Sequence, residues 1–471
     1  MREFDLCVIG SGPAGQKAAI QAAKLGKAVA VIEQREVLGG VTVNTGTIPS
    51  KALREAILRL GGHTHAVPTL ADFAQARNAA FTGLQNACQE VIKAEIDLVR
   101  SHFASNGIHV ITGKARFRDA TTIDVEGANA STSVKGKNIV IAVGTSPARP
   151  ADVPFDDRTI VTSDEIVKLP YLPKSMIVVG GGVIGTEYAS MMAQLGVRVT
   201  IVEGRPRLLD FIDAEIIESL QYHLRQHDVT LRLGEKVAKI RRIAPEDRTP
   251  PGATALAEAV LESGKTLRAD CLLYCIGRQG STDGLLLENA GLSCDSRGRI
   301  PVDDKFRTKV PGVFACGDVI GFPALASTSM EQGRLAACAM FGVPGQTVQT
   351  LLPYGIYAIP EISMVGWTEE ALTREGIPYE AGIAQYKETA RGQLIGDDIG
   401  MLKMLVHQES HVVMGVHAIG TGATELIHIG QAAIAFKATV EYFVESVFNY
   451  PTLAECYKIA AFNVLNKLRG N

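Results

Sequence analysis

One sequence pattern occurs twice in this chain of 471 residues, at a constant offset of 170 positions. Each copy has an apolar run, a Gly-x-Gly-x-x-Gly loop, a stretch without Pro or Gly, and a second apolar run closed by Glu. The matched landmarks are Gly10, Gly12, Gly15, Gly26 and Glu33 in the first copy and Gly180, Gly182, Gly185, Gly196 and Glu203 in the second. Five matched landmarks make coincidence implausible, so the chain contains one folding unit twice.

Each copy predicts a buried parallel strand, a glycine loop, a helix and a second strand. The first glycine permits a tight turn, the second lets the backbone approach a pyrophosphate, and the third lets helix and strand pack closely. The N-terminus of the helix favours phosphate, and the closing acid can bind both ribose hydroxyls. The alternative for either copy is that its glycines only turn the chain. Two dinucleotide sites in one chain predict an electron relay between two cofactors.

Composition excludes several other classes of protein. With 47 Lys and Arg against 50 Asp and Glu, the net charge is −3. The sequence has no basic stripe, so we do not expect nucleic acid as a partner. A hydrophobic fraction of 46% is typical of large globular cores. No apolar run approaches the roughly 18 residues that a membrane span needs. Eight cysteines are few for a disulfide scaffold, and without a signal-peptide pattern we expect a cytoplasmic protein.

The rest of the chain supplies further strands and a different C-terminal region. Three strand-like runs, at 137–145, 270–278 and 313–318, each end in a glycine followed by a polar residue, and a proline-containing loop is predicted at 244–253. The residues from 349 onward lack a glycine fingerprint and mix strand-like with helical runs. We therefore predict an α/β fold with two Rossmann-like dinucleotide-binding domains and a C-terminal α+β domain.

This combination resembles the pyridine nucleotide–disulfide oxidoreductases over essentially the whole chain. The most specific segment, 39–51, reads Gly-Gly-Val-Thr-Val-Asn-Thr-Gly-Thr-Ile-Pro-Ser-Lys. In the disulfide-reducing members, cysteines at the positions of Thr42 and Thr47 form a redox disulfide beside the flavin. Those members also carry a His-Pro-Thr segment near the C-terminus, where this chain has Tyr450 at the His position. A phenol with a pKa near 10 cannot relay protons in the same way, so we expect no dithiol chemistry.

The sequence is similar to a subgroup of this family that exchanges hydride between NAD(H) and NADP(H) through FAD. The shared segments are Gly-Thr-Ile-Pro-Ser-Lys and Phe-Asn-Tyr-Pro-Thr, although this subgroup keeps a cysteine where this chain has Thr42. The resemblance implies a ping-pong reaction without a protein nucleophile. It also implies a homodimer or larger homo-oligomer. The implied domains are 1–150 and 279–348 for FAD, with 279–348 also the central segment, 151–278 for NAD(P), and 349–471 for dimerisation.

The resemblance also assigns residues to the flavin site. Lys51 and Glu187 would pair beside flavin N5, where an ammonium stabilises negative charge; the alternative is a salt bridge that only joins two helices. Thr47 would lie near the C4a edge of the flavin, either filling space or offering its hydroxyl. The remaining FAD-binding positions are Gly10, Gly12, Gly15, Glu33 (adenosine ribose), Gly40, Thr42, Ala115, Gly144, Arg278 (pyrophosphate), Gly317, Asp318 (ribityl chain) and Ala326.

Nucleotide choice is predicted to depend on Glu203. Its carboxylate suits the 2′,3′-diol of NAD(H) but repels a 2′-phosphate, by a few kcal/mol per charge pair at about 4 Å and an effective dielectric constant near 20. Arg205 and Arg207 could swing in and offset this repulsion for NADP(H), or they could form a solvated basic turn on an NAD-only protein. The NAD(P) site would then comprise Gly180, Gly182, Gly185, Glu203 and Arg205. No spacing of His and Cys predicts a metal site.

Two other functions remain open at this point. A reduced flavin without a disulfide must discharge somewhere, so the chain could be an NAD(P)H dehydrogenase or oxidase that reduces a quinone or oxygen. It could also be a non-catalytic flavoprotein kept as a binding subunit. Lys51, Glu187 and both intact glycine fingerprints argue against the non-catalytic alternative.

Overall fold

The computed structural model describes residues 2–61, 74–128, 130–244, 255–344 and 350–470. The proline-containing loop predicted at 244–253 lies outside these residues, apart from Ala244. Within the described part of the chain, no helix combines the length and the apolar character that crossing a membrane requires.

The N-terminal region builds most of the first sheet. Strands β3-β2-β1-β6 run parallel in that order, and β5 and β4 continue the sheet from the first half of β6 as antiparallel strands. The elements are β1 (Arg2–Ile9), α1 (Pro13–Lys24), β2 (Val29–Glu33), α2 (Gly40–Asn44), α3 (Thr47–Gly61), α4 (Ala74–Ser105), β3 (His109–Thr112), β4 (Lys114–Phe117), β5 (Thr122–Glu126), β6 (Ser131–Ile141) and β7 (Thr145–Pro147).

The middle region forms a second parallel sheet, in the order β11-β10-β9-β15-β8. Beside it lies an antiparallel sheet of β12, β13 and β14, and β16 pairs with β7 in a short antiparallel ribbon. The elements are β8 (Ile160–Val161), β9 (Ser175–Val179), α5 (Val183–Gln194), β10 (Arg198–Glu203), α6 (Ala214–Gln226), β11 (Thr230–Leu233), β12 (Val237–Ile243), β13 (Leu256–Leu261), β14 (Thr266–Ala269), β15 (Cys271–Tyr274) and β16 (Arg278–Gly280).

The C-terminal region completes the first sheet and then forms its own. Strand β17 pairs parallel with the second half of β6, and α7 packs against α1 through small residues such as Ala14 and Ala337. Strands β18-β19-β22-β21-β20 form an antiparallel sheet that α10 and α12 cover. The elements are β17 (Val313–Ala315), α7 (Ala326–Met340), β18 (Tyr354–Ile356), β19 (Ile362–Gly366), α8 (Glu369–Glu375), β20 (Tyr379–Gln385), α9 (Ala390–Ile395), β21 (Met401–His407), β22 (Val413–Ile419), α10 (Ala423–Ala435), α11 (Val440–Glu445) and α12 (Glu455–Arg469).

The offset of 170 positions extends to the pairing of individual residues. Leu6 faces Val29 between β1 and β2, and Met176 faces Val199 between β9 and β10. The second half of β1 and nearly all of β9 are buried, because helices cover the two faces of each parallel sheet. The α/β fold with two Rossmann-like units and a C-terminal α+β domain is therefore confirmed, whereas the domain limits at 150, 278 and 348 stay predictions.

A continuous apolar core joins the three regions where their elements meet. It includes Leu53 on α3, Tyr188 and Met191 on α5, Ile356 on β18 and Met401 on β21, all of them buried. Because this core crosses the predicted domain limits, it fixes α3 and α5 against the start of the C-terminal sheet. The predicted flavin pair, Lys51 and Glu187, lies on these two helices.

Candidate active site

The two glycine loops have the same geometry. Gly10 and Gly180 adopt φ values of +105° and +109°, a region that favours glycine. A Cβ at Gly15 would collide with the carbonyl oxygen of Gly10, and the corresponding clash at Gly185 involves Gly180. Each third glycine is therefore required by the close approach of helix and loop.

The second glycine of each loop faces open space. A Cβ at Gly12 or Gly182 would meet no atom within 4 Å, although each residue caps the N-terminus of a helix. The first amides of a helix have no partner within the helix and attract anions. Both loops therefore fit a dinucleotide pyrophosphate, and both fingerprints have the geometry that the sequence predicted.

The closing acids tie the ends of β2 and β10 to these loops. Oε2 of Glu33 accepts hydrogen bonds from the amide of Ser11 at 3.0 Å and its hydroxyl at 2.6 Å, and Oε1 accepts the amide of Arg35 at 3.0 Å. In the second copy, the amides of Gly181 and Arg205 donate to Glu203 at 2.6 and 2.9 Å. Burial alone would raise the pKa of Glu203, but hydrogen bonds from Arg205 and Gly181 outweigh it and hold the pKa below its ordinary value.

The second copy differs from the first in the side chain of Arg205. Its Nε and Nη2 both lie 3.0 Å from oxygens of Glu203, and its Nη1 lies 2.6 Å from Oδ1 of Asp210. Arg207, the other arginine considered for a 2′-phosphate, pairs instead with Glu370 of α8 at 3.0 Å. Glu203 and Arg205 are therefore adjacent, whereas Arg207 is engaged with the C-terminal region.

Lys51 and Glu187 form an ion pair between α3 and α5. Lys51 Nζ lies 2.7 Å from Oε2 of Glu187 and 4.9 Å from the centre of the Tyr357 ring. The amide of Tyr357 donates to the other carboxylate oxygen of Glu187 at 2.9 Å. Glu187 is buried and Lys51 is partly exposed, so the ammonium keeps an open side. The pairing of these two residues is observed, whereas their position beside a flavin stays a prediction.

The segment from Tyr357 to Glu361 ties both helices to the C-terminal region. Arg54 on α3 donates to the carbonyl of Ala358 at 3.0 Å and pairs with Glu361 at 2.9 Å. On α5, the hydroxyl of Ser190 accepts the amide of Ile359 at 3.0 Å. The sequence analysis missed Arg54, although its place three residues after Lys51 on one helix face is a usable signal.

Several predicted flavin residues meet at Thr145. Arg278 donates from Nε to the Thr145 hydroxyl at 2.7 Å and from Nη2 to its carbonyl at 2.8 Å, and that hydroxyl lies 3.4 Å from Asp318. Ser329 on α7 holds the other oxygen of Asp318 at 3.2 Å. Thr145 was missed by the sequence analysis because a threonine in a strand normally predicts only sheet structure. Arg278 and Asp318 belong to this cluster, and Gly144 and Gly317 adjoin Thr145 and Asp318 in sequence. Ala326 begins α7, the helix that carries Ser329.

The other predicted positions lie around the first glycine loop and in the core. A Cβ at Gly40 would lie 2.8 Å from the Cα of Gly12, so the start of α2 abuts that loop. Thr42 lies on α2, and Thr47 is the first residue of α3. Ala115 is different, because it is buried in an apolar cluster with Ile9 and Ile32. The structure therefore places Gly40 against the first loop, Thr42 on the same helix as Gly40, Thr47 at the start of the next helix, and Ala115 in the apolar core.

All eight cysteines are free thiols, and five of the eight lie fully or almost fully buried in strands or helices. Burial raises the pKa of Cys316 and of Cys456 to about 12, which leaves both thiols protonated at neutral pH. A redox role for either would need a thiolate. Neither thiol supplies a thiolate at neutral pH.

Among the residues that the structure describes, one carboxylate group has the spacing of a metal site. It consists of Asp213, Glu215 and Glu369, whose oxygens lie within 4.8 Å of one another. The ammonium of Lys403 contacts all three carboxylates, at 2.8 Å from Asp213 and 2.9 Å from Glu215. A lysine therefore supplies the positive charge at this cluster.

Two open glycine loops fit two dinucleotides, and an ion pair joins α3 to α5. This arrangement is typical of an oxidoreductase that uses two dinucleotides. Comparison with family models agrees: the pyridine nucleotide–disulphide oxidoreductase model matches residues 4–333, and the dimerisation domain of the same family matches residues 352–461. The chain belongs to the pyridine nucleotide–disulphide oxidoreductases. Its cofactors are accordingly FAD and a pyridine nucleotide, as the sequence predicted.

Individual relatives cover the whole chain. A soluble pyridine nucleotide transhydrogenase of Mycobacterium tuberculosis is 52% identical over 100% of this chain and 99% of its own length, and one of Marinomonas is 43% identical over 99% of each. Among solved structures, the HOCl-induced flavoprotein disulfide reductase RclA of Escherichia coli has a TM-score of 0.85 at 26% identity, covering 98% of this chain and 100% of that one. LpdA of M. tuberculosis has a TM-score of 0.86 at 25% identity, covering 98% and 99%.

Proposed function

We propose that this chain transfers hydride reversibly between NADPH and NAD+ by a ping-pong mechanism that uses FAD and no redox disulfide. The observation that carries the proposal is the acid–arginine pair of Glu203 and Arg205 beside the open loop at Gly182. A carboxylate suits the diol of NAD(H), and an adjacent guanidinium suits the 2′-phosphate of NADP(H). Relatives that share up to 52% identity over the full chain are named transhydrogenases, which supports the same activity.

The residues around the first glycine loop would hold FAD. Gly12 and the start of α1 would take the pyrophosphate together with Arg278, Glu33 would take the adenosine ribose, and Asp318 the ribityl chain. Bound there, FAD would accept hydride from one nicotinamide nucleotide and return it to the other.

Lys51 would supply positive charge where negative charge develops during hydride transfer. Glu187 binds its ammonium and is itself held by the amide of Tyr357, and the ring of Tyr357 packs beside the ammonium. A preorganised charge of this kind lowers a barrier without reorganisation during the reaction. Thr47 begins the same helix as Lys51. By the family resemblance, this threonine would lie where disulfide-reducing members have a cysteine.

The reaction would proceed without thiol chemistry. Thr42 and Thr47 replace the two cysteines, and a threonine hydroxyl is not redox active. Tyr450 replaces the acid–base histidine and is exposed in the single chain. With dithiol chemistry removed as a set, hydride would enter and leave through nicotinamide alone.

We also propose that the chain acts as a homodimer in the cytoplasm. The matched dimerisation domain supports self-association, and large apolar side chains within it are exposed in the single chain, including Phe436 at 85% and Val447 at 95%. Eight free thiols are in keeping with a reducing compartment.

Two half-reactions test the proposed function. Under anaerobic conditions, NADPH is added to the flavin-loaded protein while flavin absorbance is recorded, and thio-NAD+ is added afterwards. We expect NADPH to bleach the flavin without a charge-transfer band, because no thiolate adjoins it, and thio-NAD+ to restore the colour as thio-NADH forms. Recovery only with a quinone or oxygen would instead identify an NAD(P)H dehydrogenase or oxidase. No bleaching by NADPH or by NADH would identify a non-catalytic flavoprotein.

A further inference from the structure

Arg205 is held by two carboxylates at once. Its Nε and Nη2 bind Glu203 at 3.0 Å each, and its Nη1 binds Asp210 at 2.6 Å. The hydrogen bonds that Arg205 donates to Glu203, followed by the charges of Glu203 and Asp210, raise the pKa of Arg205 above its ordinary value, despite partial burial. Asp210 belongs to the loop between β10 and α6 and has no counterpart in the sequence prediction.

Glu203 has no acceptor capacity left in this arrangement. A carboxylate offers about four lone-pair positions, and four donors occupy them: two backbone amides, from Gly181 and Arg205, and two side-chain nitrogens of Arg205. A ribose diol that binds Glu203 must therefore displace the side chain of Arg205, because the amides are fixed by the backbone. Binding of either nucleotide would thus release Arg205 from Glu203.

Asp210 would still hold the released arginine. Its backbone is fixed, since its carbonyl accepts Nη2 of Arg207 at 3.0 Å and the preceding residue, Leu209, is buried and donates its amide to Gly181 at 3.2 Å. Arg207 is in turn anchored by Glu370 of α8 at 3.0 Å. The carboxylate of Asp210 is therefore presented to Arg205 from a rigid loop.

We propose that Asp210 is a specificity-determining residue, which competes with the 2′-phosphate of NADP(H) for Arg205 and so lowers the preference of this site for NADP(H) over NAD(H). The inference rests on the proposed use of both nucleotides. NAD(H) has no 2′-phosphate, so its binding leaves Arg205 on Asp210. For NADP(H), Arg205 must leave Asp210, and the negative charge of Asp210 itself opposes the phosphate.

Substituting Asp210→Asn tests the inference through binding alone. The flavin-loaded protein is titrated calorimetrically with adenosine 2′,5′-bisphosphate and, separately, with 5′-AMP, two ligands that differ only in the 2′-phosphate. We expect the variant to bind the bisphosphate about three- to tenfold more tightly, in line with the loss of one partly screened charge, and to bind 5′-AMP within about twofold of the original protein. Asp210→Ser, which also removes the charge, should give the same selective change.

Asp97→Asn is a matched control, because it breaks an exposed Asp–Arg pair (3.2 Å from Arg100) far along α4. It should alter neither affinity. Equal affinities of the Asp210 variants and the original protein for the bisphosphate would overturn the inference, as would equal changes for both ligands. Failure of the inference is distinguishable from failure of the proposed function, because NADPH-to-thio-NAD+ transfer is measured separately on the unsubstituted protein.

Discussion

At the scale of single residues, Lys51 combines a contact between two helices with a position suited to charge stabilisation. The ion pair with Glu187 joins α3 to α5, which a purely structural salt bridge would also do. The partly exposed ammonium, held by a buried carboxylate, is in addition suited to stabilise charge on a bound ring. The two roles predict different effects of substitution on rate and on stability.

Lys51→Met should slow flavin bleaching by NADPH by about 10- to 1000-fold, because it removes a preorganised positive charge. Lys51→Arg, which keeps the charge, should recover part of that rate. Stopped-flow absorbance under anaerobic conditions measures the rate, and thermal melting of the same samples measures stability. Arg54→Met is the matched control, since it breaks the neighbouring buried pair with Glu361 and should lower the melting temperature with a much smaller effect on rate. If Lys51→Met lowers only the melting temperature, the pair is structural.

Some residues of the candidate site could be predicted from the sequence, and others could not. Glu33, Glu203 and the fingerprint glycines were predictable because each is fixed by its spacing within a local β-α-β unit. The contact of Lys51 with Glu187 spans 136 positions, so only a family resemblance could suggest it. Asp210 could not be predicted, because the path of the loop after β10 depends on packing of Leu208 and Leu209 rather than on any periodic pattern.

At the scale of elements, each glycine loop contains one glycine that the fold requires and one that faces open space, where a ligand would bind. In the second unit, Gly185 is needed for packing of α5 on its own loop, whereas Gly182 faces open space. The two positions therefore separate a folding requirement from a binding requirement within one motif.

Gly182→Ala should weaken NADH binding by at least about tenfold while leaving the melting temperature nearly unchanged. Its φ of −77° is ordinary for alanine and no atom lies within 4 Å of the added Cβ, so only an approaching pyrophosphate would meet the methyl group. Gly185→Ala should lower the melting temperature as well, because its Cβ collides with the carbonyl of Gly180. Calorimetric titration and thermal melting check both. Unchanged NADH affinity in Gly182→Ala would show that nucleotide binds elsewhere.

Element prediction succeeded where a pattern is local and long enough. The β-α-β units and the presence of helical runs from residue 349 onward were predictable from the sequence pattern, and the structure places α10 and α12 in that region. The ribbon of β7 and β16 was not, because each strand has three residues and they pair across 133 positions of sequence. Short strands owe their structure to tertiary contacts rather than to their own sequence.

At the scale of the whole molecule, a buried lysine joins the second dinucleotide unit to the C-terminal sheet. Lys403 on β21 is fully buried and contacts Asp213, the N-cap of α6, together with Glu215 and Glu369. Burial would lower the pKa of Lys403, but the hydrogen bonds and charges of the carboxylates outweigh it and raise the pKa. Burial would likewise raise the pKa of Asp213, whereas His417 and Lys403 hold it below its ordinary value.

Lys403→Met should destabilise the protein by about 3–5 kcal/mol at pH 8, because it leaves a buried carboxylate without its cation. The deficit should shrink at pH 5. In the original protein, the depressed pKa of Asp213 contributes stability above the pKa of the unfolded state, and this contribution is lost only as the pH falls through the lower folded pKa. Without the ammonium, burial raises that pKa, and His417 offsets it little because burial lowers the pKa of His417 itself. The variant therefore takes up a proton on folding and gains stability relative to the original protein as the pH falls.

Urea unfolding of both proteins at pH 8 and pH 5 measures the deficit directly. Lys137→Met serves as a control, since it breaks an exposed pair with Asp5 and should leave the unfolding midpoint nearly unchanged at both pH values. A deficit for Lys403→Met that is the same at pH 5 as at pH 8 would mean that Asp213 does not titrate between them. In that case the cluster would join the two regions by hydrogen bonding alone, and replacing Asp213 by Asn should be tolerated in the original protein. If the deficit does shrink, the charge of Lys403 is what stabilises the junction between the NAD(P) unit and the C-terminal sheet.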